Sequence, residues 1–332
     1  MKLSIILPAY NAESTIKETI SSIQNQTFQD WELIIIDDGS QDSTFQIIES
    51  FVINDSRLIT ISQSNRGYRT VRNAGLDLIS GEYLTFIDSD DRIAPNFFEK
   101  LMLEMKASKA QLLVTGFRKI DEKGKVLYEV KYNESISDNP LNDIGVRFIG
   151  STPSETDSIL PGVCSNCYVT SIVKEKKIRF LESKEIISED LLFNLEYVNN
   201  IKIGKVSDIV GYDYRLNNKS VTRSVNSTNI FKHLQMINFL EKNWHQKFDN
   251  EGDVRKRLAM NFLVSLRKEL FKNRKESFIE IYKRHKMLLN DLEIIELLNW
   301  VALNEFSFKR RFFMVIVKSK NCFVTTLLSM IN

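Results

Sequence analysis

Gly81-Glu82-Tyr83-Leu84-Thr85-Phe86-Ile87-Asp88-Ser89-Asp90-Asp91 is an apolar run that stops abruptly in three carboxylates around one serine. Pro95 follows closely, and Asn96 to Lys106 has a helical pattern. The acids therefore fall at the C-terminal end of a buried strand, where open α/β sheets place their ligands. Carboxylates crowded there repel one another unless something positive neutralises them. A divalent cation carrying a phosphate-bearing substrate does so, because hard oxygen ligands suit Mg²⁺ or Mn²⁺. The plain alternative is a solvated acidic turn in which an aspartate caps the next helix.

The flanking sequence favours the first reading. Leu3 to Leu7 is a first strand that Pro8-Ala9-Tyr10-Asn11 breaks, and Ile16, Ile20 and Ile23 share one face of a following helix. Trp31 to Ile36 is near-continuously apolar, as a parallel strand covered on both faces requires. It ends in Asp37-Asp38-Gly39-Ser40-Gln41-Asp42-Ser43, and a helix to about Phe51 follows. Leu58 to Ser62 is a third strand, and Gln63 to Thr70 a polar loop. Arg72-Asn73-Ala74-Gly75 opens a helix that Gly81 ends as a C′ residue. Strand–helix alternation with short connections predicts a parallel sheet flanked by helices, so Tyr10/Asn11, Asp37/Asp38 and Asp88/Asp90 converge on one edge.

Further along, Gln111 to Lys119 and Val126 to Val130 read as a hairpin around Asp121–Lys125. Residues 133–160 are polar and poorly patterned, with a short helix around Asp143 to Phe148. Glu189 and Asp190 stand in the first turn of an amphipathic helix, a position that helix-dipole stabilisation alone would explain. From Asn229 the chain becomes helical and Lys-rich, which predicts two domains, 1–228 and 229–332. The segment Phe306 to Leu328 mixes basic residues with aromatic and β-branched ones. It reads either as a packing element, on the first domain or in a homodimer, or as a basic amphipathic surface for anionic lipid.

Composition removes several classes. Hydrophobic content of 43% and charged content of 27% are those of an ordinary globular protein, and a net charge of +2 gives a nucleic-acid partner no global support. Cys164 and Cys167 have C-x-x-C spacing without a second pair, which argues against zinc. Three cysteines and no leader-like start lead to the expectation of a reducing cytoplasm, peripheral to the inner face of the membrane if the basic segment touches lipid.

Taken in order, Ile6-Leu7-Pro8-Ala9-Tyr10-Asn11, Ile36-Asp37-Asp38-Gly39-Ser40-Gln41-Asp42-Ser43, Arg72-Asn73-Ala74-Gly75, Gly81-Glu82-Tyr83-Leu84 with Asp88-Ser89-Asp90-Asp91, and Glu189-Asp190-Leu191-Leu192-Phe193 resemble the family 2 glycosyltransferases. These are inverting enzymes of the GT-A fold, a Rossmann-like, mostly parallel α/β sheet, and the likeness is to bacterial enzymes of capsule, exopolysaccharide or surface glycans. It spans residues 1 to about 225.

The resemblance implies a UDP-sugar donor and roles for named residues. Pro8, Tyr10, Asn11 and Glu13 would border the nucleotide. Asp38, or its neighbour Asp37, would accept from the uracil N3–H. Asn65 and Arg72 would lie along the nucleotide and diphosphate. Asp88 and Asp90 would bind Mn²⁺ or Mg²⁺, with Asp90 the stronger ligand, Asp88 also meeting the ribose and Ser89 between them. Asp190 would be the general base, with Glu189 beside it, and Arg215 would reach the diphosphate or acceptor. No histidine is found where some relatives offer one to the metal. A nucleotidyltransferase would need a glycine-rich loop after the first strand, and Pro8-Ala9-Tyr10-Asn11 is not one. A non-catalytic sugar-nucleotide-binding relative would have little reason to keep Asp88, Asp90 and Asp190 together.

Overall fold

The computed structural model describes residues 2–153, 156–182, 188–216, 229–271, 276–306 and 308–331. The chain forms two units. The first comprises Met1–Gly145, Pro161–Glu182 and Glu189–Ser224, the second Val146–Leu160, Ser183–Ser188 and Val225–Asn332. The expected division at 228/229 falls outside the described residues, and Val146–Leu160 groups with the helical unit.

The first unit opens with the expected alternation: β1 (Leu3–Ala9), α1 (Ile16–Gln24), β2 (Trp31–Asp37), α2 (Thr44–Val52), β3 (Leu58–Ser62), α3 (Tyr68–Leu78) and β4 (Tyr83–Phe86). β1 pairs in parallel with β2 and β4, and β2 with β3. Then come β5 (Arg92–Ile93), α4 (Phe97–Ser108), β6 (Leu112–Ile120), β7 (Val126–Val130), β8 (Ser135–Ser137), α5 (Val146–Ile149, which groups with the second unit), β9 (Cys167–Val169), α6 (Thr170–Glu175), α7 (Glu189–Val198) and β10 (Gly204–Arg215). The sheet runs β3-β2-β1-β4-β9-β6-β10-β5, with β7 beside β6 and β8 beside β10. β10 is parallel to β6, whereas β5, β7, β8 and β9 are antiparallel to their neighbours. The parallel half and the Asp121–Lys125 hairpin agree with the sequence reading. The short antiparallel strands β5 and β9 carry too few residues to show a period.

Three local expectations need correction. Pro8 does not break β1; it pairs with Ile36. Even-numbered positions of β1 face β4, since Ile87 N donates to the Ile6 carbonyl, and pairing with β4 has ended at Ile6. The missing proline donor thus falls on an open flank. Arg72-Asn73-Ala74-Gly75 lies inside α3, which starts after Gly67 in the left-handed region at φ 87°. Gly75 is there for proximity, because a Cβ would come within 2.7 Å of the Ile6 side chain. Gly81 is not a left-handed cap: α3 ends at Leu78, Ile79 is extended, and a Cβ on Gly81 would sit 2.6 Å from the Lys2 carbonyl oxygen.

The second unit contains α5 (Val146–Ile149), α8 (Asn229–Asn243), α9 (Glu251–Leu270), α10 (Phe278–Asn290), α11 (Leu292–Asn299), α12 (Phe308–Lys318) and α13 (Cys322–Ile331). Its core follows the spacing seen in sequence: Leu258, Phe262, Leu266 and Leu270 are buried along α9. Arg257 ties the 146–160 segment to this helix, donating to both Asp157 carboxylate oxygens at 3.0 Å and to the Gly150 carbonyl at 2.7 Å. That cross-link, 100 residues apart in sequence, has no local signature.

Candidate active site

The carboxylates of the opening stretch sit on a braced loop just past β4. Asp91 is buried and accepts from the Tyr212 hydroxyl at 2.6 Å and the Arg215 amide at 2.8 Å. Tyr212 Oη also receives the Asp88 amide at 3.2 Å. The Ser89 carbonyl accepts from the Thr15 and Thr19 hydroxyls of the α1 start, both at 3.0 Å. Arg215 donates to the Asp90 and Glu122 carbonyls, both at 2.9 Å, and to the Glu18 carboxylate. All three guanidinium nitrogens of Arg215 thus brace the loop, where the resemblance put this residue at diphosphate or acceptor. Asp91, Tyr212, Thr19 and Glu18 were missed by sequence reasoning: an acidic cluster does not say which acid faces inward.

Asp90, by contrast, has its carboxyl raised to about 6, first by burial and then by the Asp88 charge, against some relief from Arg215. Asp91 is pushed up further by burial and by both neighbours. The loop therefore carries repulsion that the protein does not neutralise. Among the described residues no group of three or more His, Cys, Asp or Glu side chains could hold a metal. Two carboxylates completed by substrate phosphate are, however, the usual protein share of a Mg²⁺ site.

Arg72 connects this loop to the distant acid pair. Its Nη2 lies 3.0 Å from Asp88, and its Nη1 lies 2.6 Å from Asp190 and 3.7 Å from Glu189. Phe180 and Tyr68 flank the guanidinium, with ring centroids 5.3 and 5.7 Å away, and Nε is buried with no hydrogen-bond partner. The resemblance laid Arg72 along the diphosphate; the structure places it between three carboxylates. No sequence signal announces this, because the pairing spans 118 residues.

The two acids at the start of α7 differ. Glu189 accepts from Tyr68 Oη at 3.2 Å and from Arg69 at 3.2 and 3.3 Å, and its side chain is 8% exposed. Asp190 holds Arg72 and a long bond of 3.4 Å from the Val163 amide, with 22% exposure. Burial raises the Asp190 carboxyl to about 6; Glu189 and Asp88 add to this and Arg72 opposes it. Asp190 is the acid of the pair with an open side. The Cys164 thiol beside it is pushed up by burial and by Asp88.

The remaining predicted residues gather at the ends of β1, β2 and β3. Asp38 accepts from the Arg66 amide at 2.9 Å, the Gly67 amide at 2.8 Å and Gln63 Nε2 at 2.9 Å. Asp37 accepts from the Ser62 hydroxyl at 3.1 Å and the Ser40 amide at 3.3 Å. Both are buried and fold the loop before α3. Asn11, at φ 47°, accepts from the Gln41 amide at 2.8 Å, and Glu13 from the Ser43 amide at 3.0 Å. These bonds join the β1–α1 and β2–α2 turns. Pro8 is half-buried, while Tyr10 and Asn65 are exposed. The predicted residues thus divide into a loop cluster at β1–β3 and a charged cluster around Arg72.

Residues 4–167 match Glycosyl transferase family 2. An uncharacterized glycosyltransferase of Haemophilus influenzae is 31% identical over 206 residues, which are 62% of this chain and 80% of that protein. The GalNAc(5)-diNAcBac-PP-undecaprenol beta-1,3-glucosyltransferase of Campylobacter jejuni is 35% identical over 130 residues, 39% of this chain and 41% of that one. The chain spans between 19% and 80% of the length of the first curated relatives it matches. Among solved structures, S. aureus TarS 1-349 in complex with UDP-GlcNAc superposes with a TM-score of 0.69 at 20% identity, covering 99% of this chain and 91% of that one. With the sheet, the strand-end carboxylates and these matches together, the chain belongs to the family 2 glycosyltransferases and has their GT-A fold.

Proposed function

We propose that this glycosyltransferase moves a hexose or N-acetylhexosamine from a UDP-sugar to a hydroxyl of a surface glycan, with inversion, so that an α-linked donor gives a β-linkage. The observation that carries the reading is the pairing of Asp88 and Asp190 through one buried guanidinium, which brings a strand-end acid loop and a second carboxylate with an open side to one place. In this reading Asp190 takes the proton from the acceptor hydroxyl as that oxygen attacks the anomeric carbon. A carboxyl raised to about 6 is still ionised near neutrality yet more basic than a solvated one. Glu189, whose Oε2 accepts from Tyr68 and Arg69, holds the start of α7.

Asp88 and Asp90 fit a divalent cation, because two hard carboxylates share one braced loop, where burial and then the Asp88 charge raise Asp90. Mn²⁺ or Mg²⁺ bound there would offset the charge of the departing diphosphate. Pro8, Tyr10, Asn11, Glu13, Asn65, Ser89 and the Asp37/Asp38 loop are assigned to the nucleotide side. The UDP-GlcNAc complex of TarS supports a UDP donor, and the Campylobacter relative's name supports a lipid-linked saccharide acceptor and a β-linkage. The test is UDP release from a panel of UDP-sugars with Mn²⁺ and candidate acceptors. Release with one donor, lost on chelation, supports the reading. No release with any donor, despite donor-dependent thermal stabilisation, favours a non-catalytic relative.

A further inference from the structure

The last helix of the second unit is inside out. On α13, Thr325 and Thr326 are fully buried, whereas Phe323 is 55%, Leu327 42% and Met330 55% exposed. The buried hydroxyls are used internally: Thr325 donates to the Asn321 carbonyl at 2.9 Å, and Thr326 reaches the Cys322 carbonyl and His285. At about 100° per residue, Met330, Phe323, Leu327 and the also exposed Val324 span an outward arc of about 120°. A surface helix ordinarily turns such a stripe toward its core, so an outward stripe is matched to an apolar medium.

Charge identifies which medium. From Phe306 to Asn332 the sequence holds five basic residues, Lys309, Arg310, Arg311, Lys318 and Lys320, and no acid. On α12, Phe312 and Val315 are exposed and the exposed Arg311 falls on the arc beside them; Lys318 shares that arc, but its Nζ donates to the Val301 carbonyl at 3.3 Å. A symmetric contact with a second copy would set this cationic segment against itself. An anionic lipid surface instead takes both the apolar arc and the adjoining charge. No helix among the described residues is long and apolar enough to cross a membrane.

We infer that α12 and α13 form a monotopic docking surface for an anionic bilayer, with Phe323, Leu327 and Met330 entering the acyl boundary and the exposed Arg311 and Lys320 meeting headgroups. The inference stands apart from the proposed reaction, since none of these residues belongs to the acid cluster.

The test uses the full chain with vesicles of phosphatidylcholine alone or with about a third phosphatidylglycerol. The protein should sediment with the anionic vesicles at low salt at least about tenfold more strongly than with neutral ones. Phe323→Glu with Leu327→Glu should lose most of that binding, and Lys320→Gln about fivefold, with donor-dependent UDP release in solution unchanged. Phe323 also meets the Phe278 ring edge-on at 5.8 Å, so the double variant should lose a little in Tm while its circular dichroism matches the parent. A Phe323→Trp variant should shift its emission to the blue only with anionic vesicles. Equal binding to both vesicle types, or undiminished binding by the double variant, overturns the inference. So does a dimer that the double variant converts to monomer while vesicle binding is absent, which would assign the arc to a second copy.

Discussion

The two ends of one sheet treat buried charge in opposite ways. At the N-terminal ends of β1 and β2, Glu32 accepts from Lys2 Nζ and Ser4 Oγ at 2.5 Å, and from the Ser80 amide and hydroxyl at 2.6 Å. Although burial acts to raise it, these four donors hold its carboxyl down at about 2. Gly81 donates to Ser4 Oγ at 2.8 Å, so the glycine that fits under Lys2 also closes this network. At the C-terminal ends, Asp90 and Asp190 are raised to about 6, first by burial and then by neighbouring acids that the facing donors do not offset. A network built for stability satisfies its ion fully. One built for a cationic or reacting ligand leaves charge for that ligand to satisfy. The imbalance at the C-terminal edge is what distinguishes it from an ordinary polar cluster.

The sharpest way to break this contrast is at Asp190. Asn keeps the size and can still meet Arg72, but it cannot take a proton. Asp190→Asn should lower turnover by about 10²–10⁴-fold while UDP affinity hardly moves. In the parent, activity should fall as pH drops through about 6, since protonating a raised carboxyl removes the base. An equal loss in Glu189→Gln, with Asp190→Asn active, would transfer the role to Glu189 and undo the argument from its bonds to Tyr68 and Arg69 and its lower exposure.

The opposite edge should respond in stability alone. Glu32→Gln removes an ion whose folded carboxyl lies near 2 against an ordinary 4.5. A depressed carboxyl contributes stability that is fully present above its unfolded value and lost as pH falls toward its folded one. At neutral pH the variant should therefore lose on the order of 2–3 kcal/mol in denaturant melts, discounted for the part-exposed Lys2. The difference from the parent should shrink between pH 4.5 and 2. UDP release per folded molecule should be unchanged; a change in it would mean that the two edges are not independent.

How much of this was legible before the structure depends on range. The apolar runs Trp31 to Ile36 and Tyr83 to Ile87 announce β2 and β4, and the spacing of Ile16, Ile20 and Ile23 announces α1, because one period carries each signal. The alternation of these elements then fixes which edge Asp37, Asp38, Asp88 and Asp90 share. Arg72 was visible as a residue but not as a hub, since its partners come from segments 16 and 118 residues away. Likewise Arg215 was read toward a ligand, where the fold turns it on the Asp90 and Glu122 carbonyls. Side-chain direction at a strand end depends on what packs behind it, and no local pattern encodes that.

The smallest effect is the most diagnostic of unneutralised charge. Asp90 has a folded carboxyl near 6 against an ordinary 3.8, so the folded state holds its proton longer than the unfolded chain does. Stability then declines as pH rises from 3.8 through 6, and above 6 the ionised group works against folding. Asp90→Asn removes that charge at nearly constant volume. Without metal or nucleotide at pH 7.5, the variant should be more stable than the parent by about 1 kcal/mol, the roughly 3 kcal/mol of the full shift being discounted for solvent screening at this part-exposed loop, a shift of a few degrees in Tm. At pH 4 the advantage should vanish, because both chains are then near neutral at this position. With Mn²⁺ and UDP the order should reverse, since only the parent gains the binding contribution to Tm. A variant less stable than the parent in all three conditions would make Asp90 another Glu32, an acid kept for the fold.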